Sequence, residues 1–126
     1  MRWRWARRDD RAVDDAPLIV TLALDDESQA RFDALRRTWF PPERNWLSAH
    51  VTLFHALPAH ALADVLVDVC DVVGREPFVI EVTGPRSLGR GVAYDLRSAE
   101  LAALHAELVR RWEPLLVAQD LSLIHI

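Results

Sequence analysis

The run Ala49-His50-Val51-Thr52-Leu53-Phe54-His55-Ala56-Leu57-Pro58 decides how the chain is read. Residues 50–56 are too few for a typical helix, rich in β-branched and aromatic side chains, and closed by Pro58, so they predict a strand. A strand's two-residue period puts His50, Thr52 and Phe54 on one face and Val51, Leu53 and His55 on the other. An imidazole and a hydroxyl then stand side by side. One group is suited to moving a proton and the other to holding a phosphate oxygen. Spacing alone leaves the ordinary reading open, in which His50 and Thr52 are a surface or core pair.

The segments on either side supply the partners for that strand. Pro17 opens a second apolar run, Leu18-Ile19-Val20-Thr21-Leu22-Ala23-Leu24, which predicts a buried strand. Asp26 and Gln29 have capping-box spacing. Phe32, Leu35 and Trp39 follow at helical intervals, giving a helix over about 26–40 that Pro41-Pro42 stops. Leu62, Val65, Leu66, Val69, Val72 and Val73 predict a second helix with Gly74 placed as its cap. Residues 78–83 and 92–96 predict two more strands around Gly89-Arg90-Gly91, and Ser98 caps a last helix with Leu101, Leu104, Leu108 and Trp112 inward. The order β-α-β-α-β-β-α implies an α+β fold, a mixed, largely antiparallel sheet with helices packed outside it.

Composition narrows the chemistry. With 126 residues the chain is long enough for one domain with a core. All 15 cationic residues are arginine. Without lysine there is no Schiff base, no lysine-AMP intermediate and no Walker-type phosphate loop. Residues 1–11 carry five Arg and two Asp, and acids dominate the remainder, so the surface is not that of a general nucleic-acid binder. Cys70 is the single cysteine and sits in an apolar helical run, which predicts a core residue, excludes a disulfide framework and points to a cytoplasmic protein. The start has no signal-peptide pattern, and no window reaches the ~20 apolar residues of a membrane span. Residues 1–15 read as a flexible basic tail.

Several stretches together resemble one family. They are Ala-Pro-Leu-Ile-Val-Thr-Leu-Ala-Leu (16–24), Gln-Ala-Arg-Phe-Asp-Ala-Leu-Arg-Arg (29–37), Phe-Pro-Pro-Glu-Arg-Asn (40–45) and Ala-His-Val-Thr-Leu-Phe-His-Ala-Leu-Pro (49–58). Ser-Leu-Gly-Arg-Gly-Val-Ala-Tyr (87–94) and the helix at 100–112 continue the likeness, which covers residues 16–120. This part of the chain is similar to bacterial 2′-5′ RNA ligase family proteins of the 2H phosphoesterase superfamily. The resemblance implies a bilobal α+β fold with two facing His-x-Thr/Ser motifs, one histidine acting as general base, its partner as general acid, and the hydroxyls binding phosphate. It implies RNA ends or small cyclic or 2′-5′ phosphodiesters as substrates, with no metal and no nucleotide cofactor. His50 and Thr52 are the catalytic residues it assigns. Lacking lysine, the chain would join ends only by reversing a phosphodiester reaction.

The expected second motif does not follow Gln119-Asp120. The chain instead reads Leu-Ser-Leu-Ile-His-Ile (121–126), which predicts an incomplete second lobe, an atypical tail and impaired turnover. His125 has no residue at +2. A catalytically inactive remnant that still binds RNA or a phosphodiester is the alternative expectation. Other candidates have simpler readings. His50, His55 and His60 are five apart, so His50 and His55 face opposite ways on a strand and do not share a metal. His55 and His105 read as structural histidines, Gly89-Arg90-Gly91 as a hairpin, and Tyr94 as core.

Overall fold

The computed structural model describes residues 16–89, 91–117 and Asp120. The tail at 1–15, Arg90, Gln119 and the terminal run 121–126 with His125 lie outside the described residues. Strand β1 (Leu18–Leu22) pairs antiparallel with β2 (Val51–Leu57). Strand β3 (Glu81–Ser87) pairs antiparallel with β4 (Val92–Arg97). Helices α1 (Asp26–Trp39), α2 (Leu62–Val72) and α3 (Ala99–Trp112) complete an α+β arrangement. Its strand pairing forms two two-stranded ladders.

β2 is the centre of the core. Val51, Thr52, Leu53 and Phe54 are all buried, so both faces of the strand are covered. The register explains how. Thr21 stands opposite Thr52 and Val20 opposite Phe54, so β2 carries an extra residue there, and a second irregularity separates Leu18 from Val20. Such bulges re-aim side chains and interrupt simple alternation. β2 begins at Val51, so His50 precedes the strand instead of opening it as expected; Thr52 lies on the near side of the first bulge and Phe54 beyond it. Around β2 pack Val65, Val69 and Val72 of α2, with Leu101, Leu104, Leu108 and Trp112 of α3. The inward face of α3 is the one its spacing predicts. Ser98 caps it as expected, its Oγ accepting from Leu101 N at 3.1 Å.

Four local expectations need correction. Asp25, not Asp26, caps α1, its carboxylate accepting from Ser28 N at 2.9 Å. Helix α2 ends on Val73 as its cap, with Gly74 one residue beyond. Cys70 is exposed, because it lies about 100° around the helix from buried Val69. β3 begins at Glu81 instead of Phe78 and runs through Pro85. The hairpin turn sets this shift. Leu88 N donates to Gly91 O at 2.8 Å, Gly89 takes φ 85°, and pairing zips back from Ser87–Val92 to Glu81–Arg97. Phe78 and Ile80 pack against the core without a strand partner.

Candidate active site

α1 positions the start of β2 through two polar side chains. Gln29 Nε2 donates to Ala49 O at 2.7 Å, and Ala49 N donates to Asp33 Oδ1 at 2.7 Å. Gln29 also donates to Asp33 Oδ1 at 3.1 Å, one turn along the same helix. Both backbone groups of Ala49 are therefore fixed, and Ala49 itself is buried. The next residue is His50. Its Nδ1 lies 2.8 Å from Ser48 O. A carbonyl only accepts, so Nδ1 carries the proton of this bond and the neutral ring holds its lone pair on Nε2. That is the geometry of an oriented general base. His50 is half-buried, which leaves the ring partly open to solvent. Thr52 lies two residues further on and is only 6% exposed.

The histidine within β2, His55, is held differently. Asp120 is fully buried and accepts from His55 N at 2.8 Å and Ala56 N at 3.2 Å, with His55 Nδ1 3.2 Å from the same carboxylate. One side chain, 65 positions away, thus satisfies two backbone donors at the second irregularity of β2. His55 is thus a structural histidine, held by a partner distant in the chain. Nothing in the spacing of the sequence marks Asp120 for this role. The Gln29 and Asp33 pair left a fainter trace, as two polar residues four apart on the helix preceding the strand.

His105 is the structural histidine the sequence reading expects. It is buried and stacks on Phe54, with ring centroids 5.0 Å apart and planes at 14°. Burial lowers its pKa below the ordinary histidine value, opposed by backbone groups of Leu53 and Asp120 and by the Asp120 charge. The unfolded chain therefore takes up a proton at higher pH than the folded one. This contribution to stability is complete above the unfolded value of about 6.5 and is lost as pH falls from there toward the lowered folded value. Replacing His105 by phenylalanine should flatten the slope of urea-unfolding stability against pH just below 6.5. An unchanged slope would place that proton uptake elsewhere.

A cavity of about 1040 Å³ is lined by apolar residues such as Leu22, Phe32 and Phe78 and by Asp25, Arg75 and Glu76 among others. It includes neither His50 nor Thr52. Tyr94 is half-buried, its ring edge-on to Phe32 at 5.3 Å. Among the described residues no three His, Cys, Asp or Glu side chains gather into a metal-binding group, and no helix is long and apolar enough to cross a membrane.

A family model described as the 2′-5′ RNA ligase superfamily matches residues 24–122. No curated protein and no solved structure matches the chain. The matched span takes in α1, the His50-x-Thr52 strand, both ladders' remaining partners from β2 to β4, and α3. The chain belongs to the 2′-5′ RNA ligase superfamily.

Proposed function

We propose that the chain is a phosphoesterase that hydrolyses a 2′,3′-cyclic or 2′-5′ phosphodiester at an RNA end by acid–base catalysis, with no metal or nucleotide cofactor. The observation that supports this reading is the 2.8 Å contact between His50 Nδ1 and Ser48 O, which leaves Nε2 as an acceptor two residues before Thr52 in the chain. Nε2 takes a proton from water as its oxygen bonds to phosphorus. The P–O bond to the 2′ or 3′ oxygen breaks, and that oxygen leaves with a proton from a general acid or from solvent. The Thr52 hydroxyl is assigned to a phosphate oxygen. With no lysine in the chain, joining of ends would reverse a phosphodiester cleavage, a 5′-hydroxyl replacing water at the cyclic phosphate as the bond to the 3′ oxygen breaks, and would pass through no lysyl-adenylate. The domain is taken as residues 16–120, and the single cysteine favours a cytoplasmic location.

A second reading is a domain that binds RNA ends or phosphodiesters without turning them over. Two observations favour it. Thr52 offers little surface at 6% exposure, and His55 and His105 are committed to Asp120 and Phe54. Turnover of a nucleoside 2′,3′-cyclic phosphate in the presence and absence of EDTA tests the metal-independent mechanism. Equal rates are expected. A rate abolished by the chelator and restored by zinc or manganese would contradict the mechanism. Binding with no turnover in either condition would select the second reading.

A further inference from the structure

We propose that the shallow pocket ending at Ser48, two residues before His50, binds the nucleobase of an RNA end, with Trp46 as the stacking surface and the arginines of the last turn of α1 facing the phosphate. This inference rests on the phosphodiester reading above and adds what holds the nucleoside. The pocket has a volume of about 270 Å³ and is lined by Arg36, Arg37, Asn45, Trp46, Leu47 and Ser48, with Asp33 completing it. It falls just below the ~300–1,000 Å³ usual for a drug-sized ligand, so it suits one ring system and not a dinucleotide. Ser48 is also the residue whose carbonyl accepts from His50 Nδ1. The pocket and the proposed base are joined through one hydrogen bond.

Trp46 is 85% exposed. Indole is the largest apolar side chain to leave in water, and every nucleobase offers a π-face to cover it. The loop that carries it is braced on both sides. Arg36 Nε donates to Asn45 Oδ1 at 3.2 Å and to Leu47 O at 3.0 Å, and the Arg36 guanidinium lies 4.5 Å from the Phe40 ring centroid. The residues flanking Trp46 are therefore tied to α1 before any ligand arrives, which lowers the ordering cost of binding. Arg36 spends its Nε on these bonds and keeps its terminal amino groups for an anion. Arg37 is exposed and forms no ion pair among the described residues. The Asp33 carboxylate, the one acid here, already accepts from Ala49 N and Gln29 Nε2. A cationic, aromatic pocket beside an imidazole fits a nucleotide better than an apolar protein face.

The test is the affinity of the full chain for adenosine 2′-monophosphate and for glycerol 2-phosphate, which carries the same phosphate and no base, measured by titration calorimetry at low salt. Trp46→Ala should weaken adenosine 2′-monophosphate about tenfold and change glycerol 2-phosphate less than about twofold, and Trp46→Phe should keep most of the affinity. A wild-type chain that binds neither ligand overturns the phosphodiester reading and this pocket with it. Wild-type binding of both ligands, with Trp46→Ala unchanged on both, overturns the pocket alone. A Trp46→Ala effect confined to sedimentation, with nucleotide affinity unchanged, reassigns the indole to a protein contact and also overturns it.

Discussion

Replacing His50 by alanine should lower turnover of a nucleoside 2′,3′-cyclic phosphate by about 10²–10⁴-fold, the usual worth of a positioned acid–base group. The change removes the Nε2 acceptor that the Ser48 carbonyl sets in place. It should leave the fold standing, because His50 is half-buried and precedes the strand instead of filling the core. His50→Asn sharpens the comparison. Its amide can donate to the Ser48 carbonyl, but its oxygen is no base near neutral pH. Turnover should fall as far as in the alanine variant, with phosphate affinity changed little. Steady-state kinetics beside urea unfolding separates the two effects. A His50→Ala chain that keeps wild-type turnover would remove His50 from the reaction.

Trp112→Ala should have the largest effect on stability, about 3–5 kcal/mol, as for other large-to-small aromatic replacements in cores. Trp112 is 1% exposed and meets Phe54 edge-on at 4.9 Å. Its Nε1 donates to Asp68 Oδ2 at 2.8 Å, tying α3 to α2 across the face that covers β2. Truncation leaves a cavity beside the strand that carries Thr52 and orphans that Asp68 contact. Set against the 5–15 kcal/mol typical of a domain, the loss is a large fraction of the total. Trp112→Phe keeps most of the packing and loses the hydrogen bond, so it should cost about 1–2 kcal/mol. A lowered urea midpoint with an unchanged slope is the expected signature. A midpoint shift below that of Trp112→Phe would mean that α3 does not seal the core.

The contrast between these two residues shows what the sequence made legible. Helical spacing alone placed Trp112 with Leu101, Leu104 and Leu108 on the buried face of α3, and the structure puts all four there. Ser98 was visible as a cap because its hydroxyl bonds within its own turn. The α+β class followed from element order in the same way. Where long-range pairing decides, local pattern fails. β3 is displaced because the hairpin turn, not the apolar run Phe78–Ile80, fixes its register. The bulges in β2 come from its pairing with β1, so period-two alternation is broken before Phe54, and His50 falls just ahead of the strand that local pattern begins with it. Asp120 is the extreme case, since a carboxylate reaching His55 and Ala56 from 65 and 64 positions away leaves no periodic trace. Cys70 shows a smaller failure, since an apolar neighbourhood in sequence does not fix which side of the helix a residue occupies.

On the proposed mechanism His50 presents an unprotonated Nε2 to a phosphodiester. Long-range ¹H–¹⁵N correlation of the histidine side chains, recorded above pH 8 with and without adenosine 2′-monophosphate, tests it most directly. The account predicts that neutral His50 carries its proton on Nδ1, and that its Nε2 resonance moves when the nucleotide is added, while the His105 ring shifts little. A neutral His50 protonated on Nε2, or a His50 ring that does not respond while the nucleotide binds, would contradict it.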